Sequence, residues 1–150
     1  MVKLYELRIN NFFEIELAPT MKREARRVRE IRQKHVLLDE AWYHLEKLIP
    51  ISVTEELLLK CGFTKLKWIT ESNVFEHGDI NCRLDENGLQ VFGPDFNNLK
   101  PLKYLHELQN LYFDLTEKEL QVRLNENEEP AGEEYSLENE KNYVLLSSNA

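Results

Sequence analysis

The segment HELQN, His106 to Asn110, opens like the HExxH helix of a zinc protease. That chemistry needs imidazoles at i and i+4, which stand on one helical face and share the metal. Asn110 occupies the second of those positions, so His106 has no imidazole partner. His106 and Gln109 read instead as polar members of a packed helix, satisfied by backbone or neighbouring strands. His77, Asp79 and Cys82 cluster around a turn and, with Cys61, offer nitrogen, oxygen and sulfur, yet no pair has a recurrent zinc spacing. His35 and Asp39, one helical turn apart, suit a surface hydrogen bond or ion pair.

Other chemistries fail on spacing. Pro94-Asp95 would begin a PD-(D/E)xK nuclease motif, but no lysine has Asp or Glu two residues before it. With five glycines the chain has no GxxxxGK loop, no GxGxxG and no GxSxG elbow. Neither cysteine adjoins a histidine. The expectation is therefore no catalytic residue, no metal, no cofactor and no enzymatic activity.

The strongest interaction signal is electrostatic. Residues 20–34 hold seven bases against two acids, namely Lys22, Arg23, Arg26, Arg27, Arg29, Arg32 and Lys34 against Glu24 and Glu30. Arginine predominates, which favours bidentate contact with phosphate or carboxylate. Residues 125–142 hold seven acids against Lys141, within a chain of net charge −8. The basic block is the candidate partner-binding surface. Its alternatives are contact with RNA or DNA backbone, pairing with the chain's own acidic segment, and docking on an acidic protein. The overall acidity opposes autonomous nucleic-acid binding, though not contact with a ribonucleoprotein.

These residues need elements to hold them. LYELRI and FFEIEL, joined by Asn10-Asn11, predict two strands in a hairpin. Thr20 reads as the N-cap of a long helix, with Met21, Ala25, Val28, His35, Leu38, Trp42, Leu45 and Ile49 on one stripe, ending before Pro50. In SVTEELLLKCGF, Thr54 caps a helix of about two turns and Val53 staples to Leu58. Gly62 and Phe63 close that helix in a Schellman motif. LKWIT, SNVFEH, INCRL and LQVFG predict an antiparallel meander with turns at His77–Asp79 and Asp85–Gly88. Pro101 opens a final helix bearing Leu105, Leu108, Tyr112 and Leu115, and Thr116 with Glu119 forms a capping box for a restart. In each of the pairs Phe12-Phe13, Trp42-Tyr43 and Tyr112-Phe113 at least one ring is expected to point away from its element's core side. Residues 125–142 read as a flexible acidic tail, and YVLL at 143–146 as an apolar patch.

The fold expected is α+β: an N-terminal β-hairpin, a long helix, a short capped helix, an antiparallel β meander, a C-terminal helix and an acidic tail. Residues 1–124 would form one domain carrying a helical insert at about 20–49. Two cysteines without CxxC spacing suit a reducing compartment. The N-terminal MVKLYELRIN lacks a signal-peptide pattern, and no run approaches a membrane span of roughly 18 apolar residues. A cytoplasmic location with no membrane partner is the expectation.

Three blocks, YELRINNFFEIEL, ISVTEELLLKCGF and YLHELQNLYFDLTEKEL, together resemble a family of small uncharacterised proteins of Bacteroidota, their phages and mobile elements. That family's pattern runs ELRIGNYV, PLTEEWLLKLGF and VHQLQNLYFALTGEEL. The likeness covers roughly 1–17 and 50–120. Here Asn10 replaces a glycine, Leu57 a tryptophan and Glu117 a glycine. The resemblance implies a phage or mobile-element product that binds a host protein or ribonucleoprotein, with inhibitors of CRISPR nucleases as one example of that setting. The alternative is a small nucleic-acid-binding accessory protein acting through the basic helix 22–34. Because no ligand set has workable metal spacing, a strong chelator should leave the melting temperature unchanged; a drop of several degrees in a thermal melt would contradict this.

Overall fold

The computed structural model describes residues 1–18, 20–66, 73–93, 96–97 and 100–124. The acidic segment 125–142, YVLL, Pro94-Asp95 and most of LKWIT lie outside them. Antiparallel strands dominate, and only two α-helices occur among the described residues. The α+β expectation built around a long helix is thus overturned.

The N-terminal half is a four-stranded sheet in the order β1 (Phe12–Leu17), β2 (Lys22–Arg32), β3 (His35–Leu38) and β4 (Ala41–His44). The expected helix over 20–49 is therefore β2, β3, β4 and a 3-10 turn at Leu45–Lys47. The expected hairpin also moves. Leu4–Glu6 is a 3-10 turn, and β1 pairs with β2, from Phe12↔Arg27 to Leu17↔Lys22. Thr20 caps no helix; its Oγ1 accepts from the Lys22 N–H at 3.3 Å within the β1–β2 turn.

β2 serves two partners. Residues 22–27 face β1 and residues 28–32 face β3, with a register shift between Val28 and Glu30 that leaves Arg29 extra. Such a bulge bends a strand and increases its twist. Beyond the 3-10 turn, Ile49 exchanges both backbone hydrogen bonds with Glu14, at 2.9 Å each. The sheet is thereby rolled into a small, partly closed barrel. Val2, Phe13, Ile15, Val28, Val36, Leu38, Leu45 and Leu48 fill it.

The second half holds α1 (Glu55–Lys60), a sheet in the order β5 (Thr64–Lys65), β6 (Val74–His77), β7 (Ile80–Asp85), β8 (Gly88–Gly93) and β9 (Phe96–Asn97), and α2 (Leu105–Thr116). α1 is bounded as its residues require. Thr54 accepts from the Leu57 N–H at 3.1 Å. Gly62 has φ +90, and the Phe63 and Gly62 N–H groups return to the Leu58 and Leu59 carbonyls, the Schellman pattern. α2 begins at Leu105, not Pro101, because Leu102 still pairs in a bridge with Leu89. The Glu107 carboxylate accepts from the Lys103 and Tyr104 N–H groups at 2.8 and 3.1 Å, satisfying two donors ahead of the helix. Thr116 starts no new helix. It ends α2, with Glu117 left-handed at φ 63, ψ 23.

Alternation along β1 joins the two halves. Phe13 enters the barrel core, while Phe12 points the other way, into the core of Leu57, Leu58, Phe75, Leu105 and Leu108. The two rings thus leave β1 on opposite sides, as expected, and both are buried because a second core takes Phe12.

Asn10 and Glu117 replace glycines in the resembling pattern, and both adopt left-handed backbone, at φ 81 and φ 63. Asparagine tolerates that region and glutamate does so poorly. Glu117→Gly should stabilise the protein by about 0.5–1 kcal/mol, whereas Asn10→Gly should be near neutral. Urea midpoints at unchanged slope check this, and a destabilised Glu117→Gly would contradict it.

Candidate functional site

The chain offers two polar constellations, one around His106–Asn110 and one on β2. In the first, α2 lays its polar stripe against the N-terminal segment. Gln109 is fully buried, its Oε1 accepting from the Phe12 N–H and its Nε2 donating to the Asn10 carbonyl, each at 2.9 Å. One side-chain amide thus replaces a strand neighbour for the backbone at the head of β1. Asn110 donates to the Glu6 carbonyl at 2.8 Å and accepts from Asn11 Nδ2 and Arg8 Nε. Arg8 lies 4.4 Å over the Phe113 ring and closes a two-pronged ion pair on Glu119, at 2.6 and 3.0 Å. The expected restart helix would have used Glu119 differently; here its carboxylate holds Arg8.

His106 is buried between Phe13 and Tyr104, with Nε2 3.0 Å from Glu6 Oε1. Nδ1 has no partner among the described residues. No group of three His, Cys, Asp or Glu able to hold a metal occurs among the described residues. Cys61 and Cys82 are buried free thiols, and desolvation pushes both up to about 12, so neither is an accessible thiolate near neutral pH. The HELQN helix therefore acts as a clamp on residues 6–12.

The second constellation is the predicted partner-binding set Lys22, Arg23, Arg26, Arg27, Arg29, Arg32 and Lys34. A helix would have wrapped these side chains around one cylinder; a strand sends alternate ones to opposite faces. Most also have local counter-charges. Arg23 lies 3.6 Å from Glu16 across the sheet, and Arg26 is bonded to Glu24 two residues away, which raises its pKa. Arg29 reaches Asp39 at 3.5 Å, and Arg32 reaches Glu30 at 3.3 Å. Arg27 is buried, its guanidinium 5.1 Å over the Phe12 ring. Among the described residues, Lys22 and Lys34 are the two of the seven whose side chains have no partner. Lys22 opens β2 and Lys34 lies in the turn beyond its other end.

The β2–β3 turn does gather a smaller patch. Register puts Glu30, Leu37 and Trp42 on the outer barrel face, and likewise Arg32, His35 and His44. Arg32 sits 5.3 Å over the Trp42 ring, and His35 meets His44 edge to face at 5.2 Å. Arg32, Gln33, His35 and Trp42 line an open groove of about 520 Å³. Trp42 is 43% exposed, whereas its sequence spacing predicts a place on a helix's apolar stripe. The alternation in HVLL and AWYH was the available signal: Tyr43 turns inward and Trp42 outward.

No protein-family model, curated protein or solved structure matches the chain.

The clamp yields a test with a pH signature. Gln109→Ala orphans a buried N–H and C=O and should cost about 2–5 kcal/mol. In Gln109→Glu an ionised carboxylate would face the Asn10 carbonyl, while a protonated one can still donate. The native state thus holds the proton more tightly than the unfolded chain, whose glutamate has a pKa of about 4.3. Relative to wild type, this variant should be least destabilised near pH 4 and progressively worse as pH rises. A pH-independent difference in urea midpoints would contradict the geometry.

Proposed function

We propose that this protein is a non-enzymatic binding protein of phage or mobile-element origin that engages a host protein through the outer face of β2–β3–β4. The observation that carries this reading is Trp42, a large ring left exposed beside the groove with Arg32 stacked upon it. Tryptophan and arginine are enriched among binding hot spots. Pairing of Arg23, Arg26, Arg29 and Arg32 with nearby carboxylates favours a protein partner over a polyphosphate backbone, as does a net charge of −8. Inhibition of a host defence nuclease is the specific role the sequence resemblance suggests. Among the described residues no helix is long and apolar enough to cross a membrane.

A second reading, single-stranded nucleic acid on the same face, draws on Lys34 and on Trp42 as a stacking surface. Salt dependence separates the two, since phosphate contacts lose affinity steeply as salt rises.

Tagged wild type should capture a host protein, and Trp42→Ala should weaken that complex by about 2 kcal/mol or more, roughly thirtyfold in Kd. Arg23→Ala, on the far end of β2, should leave it unchanged. Capture by Trp42→Ala at wild-type strength would remove this face from consideration. Loss of the complex with nuclease treatment, together with a steep salt slope, would favour the nucleic-acid reading.

A further inference from the structure

Among the described residues, the β2–β3 corner keeps one cation without a counter-charge. Arg32 has Glu30 at 3.3 Å, and Glu46 is followed by Lys47. Lys34 is exposed in the turn, and its side chain has no partner among the described residues. Its carbonyl accepts from the Leu45 N–H at 2.8 Å, which ties the turn to the end of β4. His44 adds a donor there. Its Nδ1 accepts the Glu46 N–H at 3.1 Å, so Nε2 carries the hydrogen in the neutral ring. Lys34, Arg32, Gln33 and His44 thus gather N–H donors around the exposed Trp42 ring and its groove. Such a corner suits a carboxylate followed by an aromatic side chain.

The chain carries that combination itself. Residues 125–142, which lie outside the described residues, hold seven acids against Lys141. Within them Glu133-Glu134-Tyr135 places two carboxylates directly before a ring. The stretch from Leu124 to Tyr135 covers up to about 38 Å when extended. That is comparable with the full width of a compact body of this size, whose radius of gyration is about 14 Å. A tethered segment also acts at an effective concentration of the order of a millimolar. Contacts too weak to hold a separate acidic peptide therefore suffice for one that is already attached.

We propose that the chain's own acidic segment folds back onto the β2–β3 corner, with Glu133 and Glu134 against Lys34 and Arg32 and the Tyr135 ring against Trp42. The segment then covers the face assigned above to a host protein, and the two compete for it. As a control on access the contact rests on that reading; as a contact within the chain it does not. Lys34 supplies the charge that selects an acid, and Trp42 supplies the surface that selects a ring.

The probe is a nitroxide attached to Asn139→Cys in the full chain, read by paramagnetic broadening of amide and indole NMR signals. Cys61 and Cys82 are buried and their thiols are pushed up to about 12, so the new cysteine takes the label alone. The Trp42 indole and the amides of Gln33, Lys34 and His44 should lose intensity relative to the same sample with its label reduced. The amides of Lys22 and Arg23, at the other end of β2, should keep theirs. Lys34→Glu and Tyr135→Ala should each restore intensity at Trp42. Salt at about 1 M should do the same, since it screens charges beyond about 3 Å. No loss at Trp42, a loss centred elsewhere, or a loss that Lys34→Glu leaves unchanged overturns the proposal. So does the same loss in isotope-labelled wild type mixed with spin-labelled chain, because the occupant would then be a second copy. Competition has its own readout: Glu133→Gln with Glu134→Gln should tighten host-protein capture severalfold, and unchanged capture would overturn it. A chain that captures no host protein contradicts the reading of the face and leaves the broadening result to decide the contact.

Discussion

Everything in the fold turns on a buried side-chain amide. The backbone at Asn10 and Phe12 runs between two cores, where an unpaired N–H or C=O would cost more than a hydrogen bond returns. Gln109 supplies the donor and the acceptor from a helix. With that pairing in place, Phe12 and Phe13 can turn to opposite sides, one into each core. Asn110, Arg8 and Glu119 extend the contact, and the ring of Phe113 supports the Arg8 guanidinium. The residues that looked most like chemistry are thus occupied in joining the barrel to the helix-and-sheet half. YELRIN and LHELQNLYF, two of the blocks that carry the sequence resemblance, lie against one another in this contact.

Charge on β2 is handled locally. Glu16, Glu24, Glu30 and Asp39 stand close enough to neutralise Arg23, Arg26, Arg32 and Arg29. Exposed pairs of this kind add little stability. Their effect is on recognition: they cancel the long-range field that a basic helix would have presented. What remains exposed is short-range, a tryptophan with an arginine over it, on the barrel and away from the clamp.

Parts of this were legible in the residues. Thr54, Gly62 and Phe63 bound α1 by local chemistry that tertiary context did not override. The strands of VFEH, INCRLD and GLQVFG lie where their patterns place them. The barrel was not legible, for two physical reasons. KREARRVREIR is made largely of good helix formers, and only pairing to β1 and β3 makes it a strand. Its turns also lack the usual markers: Gln33 and Asp39 take left-handed backbone where glycine or asparagine would have signalled a hairpin. The Trp42 patch is hidden for the same cause, since its exposure follows from a period of two in residues whose spacing also fits 3.6.

The central claim is that the Gln109 contact makes barrel and helix-and-sheet half one cooperative unit. Native-state hydrogen exchange across a denaturant series tests it most directly, comparing the amides of Val36 and Leu38 in β3 with those of Leu108 and Leu111 in α2. The account predicts that both sets exchange through the same global opening, with equal free energy and equal denaturant slope. Barrel amides that open at lower free energy with a smaller slope of their own, while α2 stays protected, would contradict it.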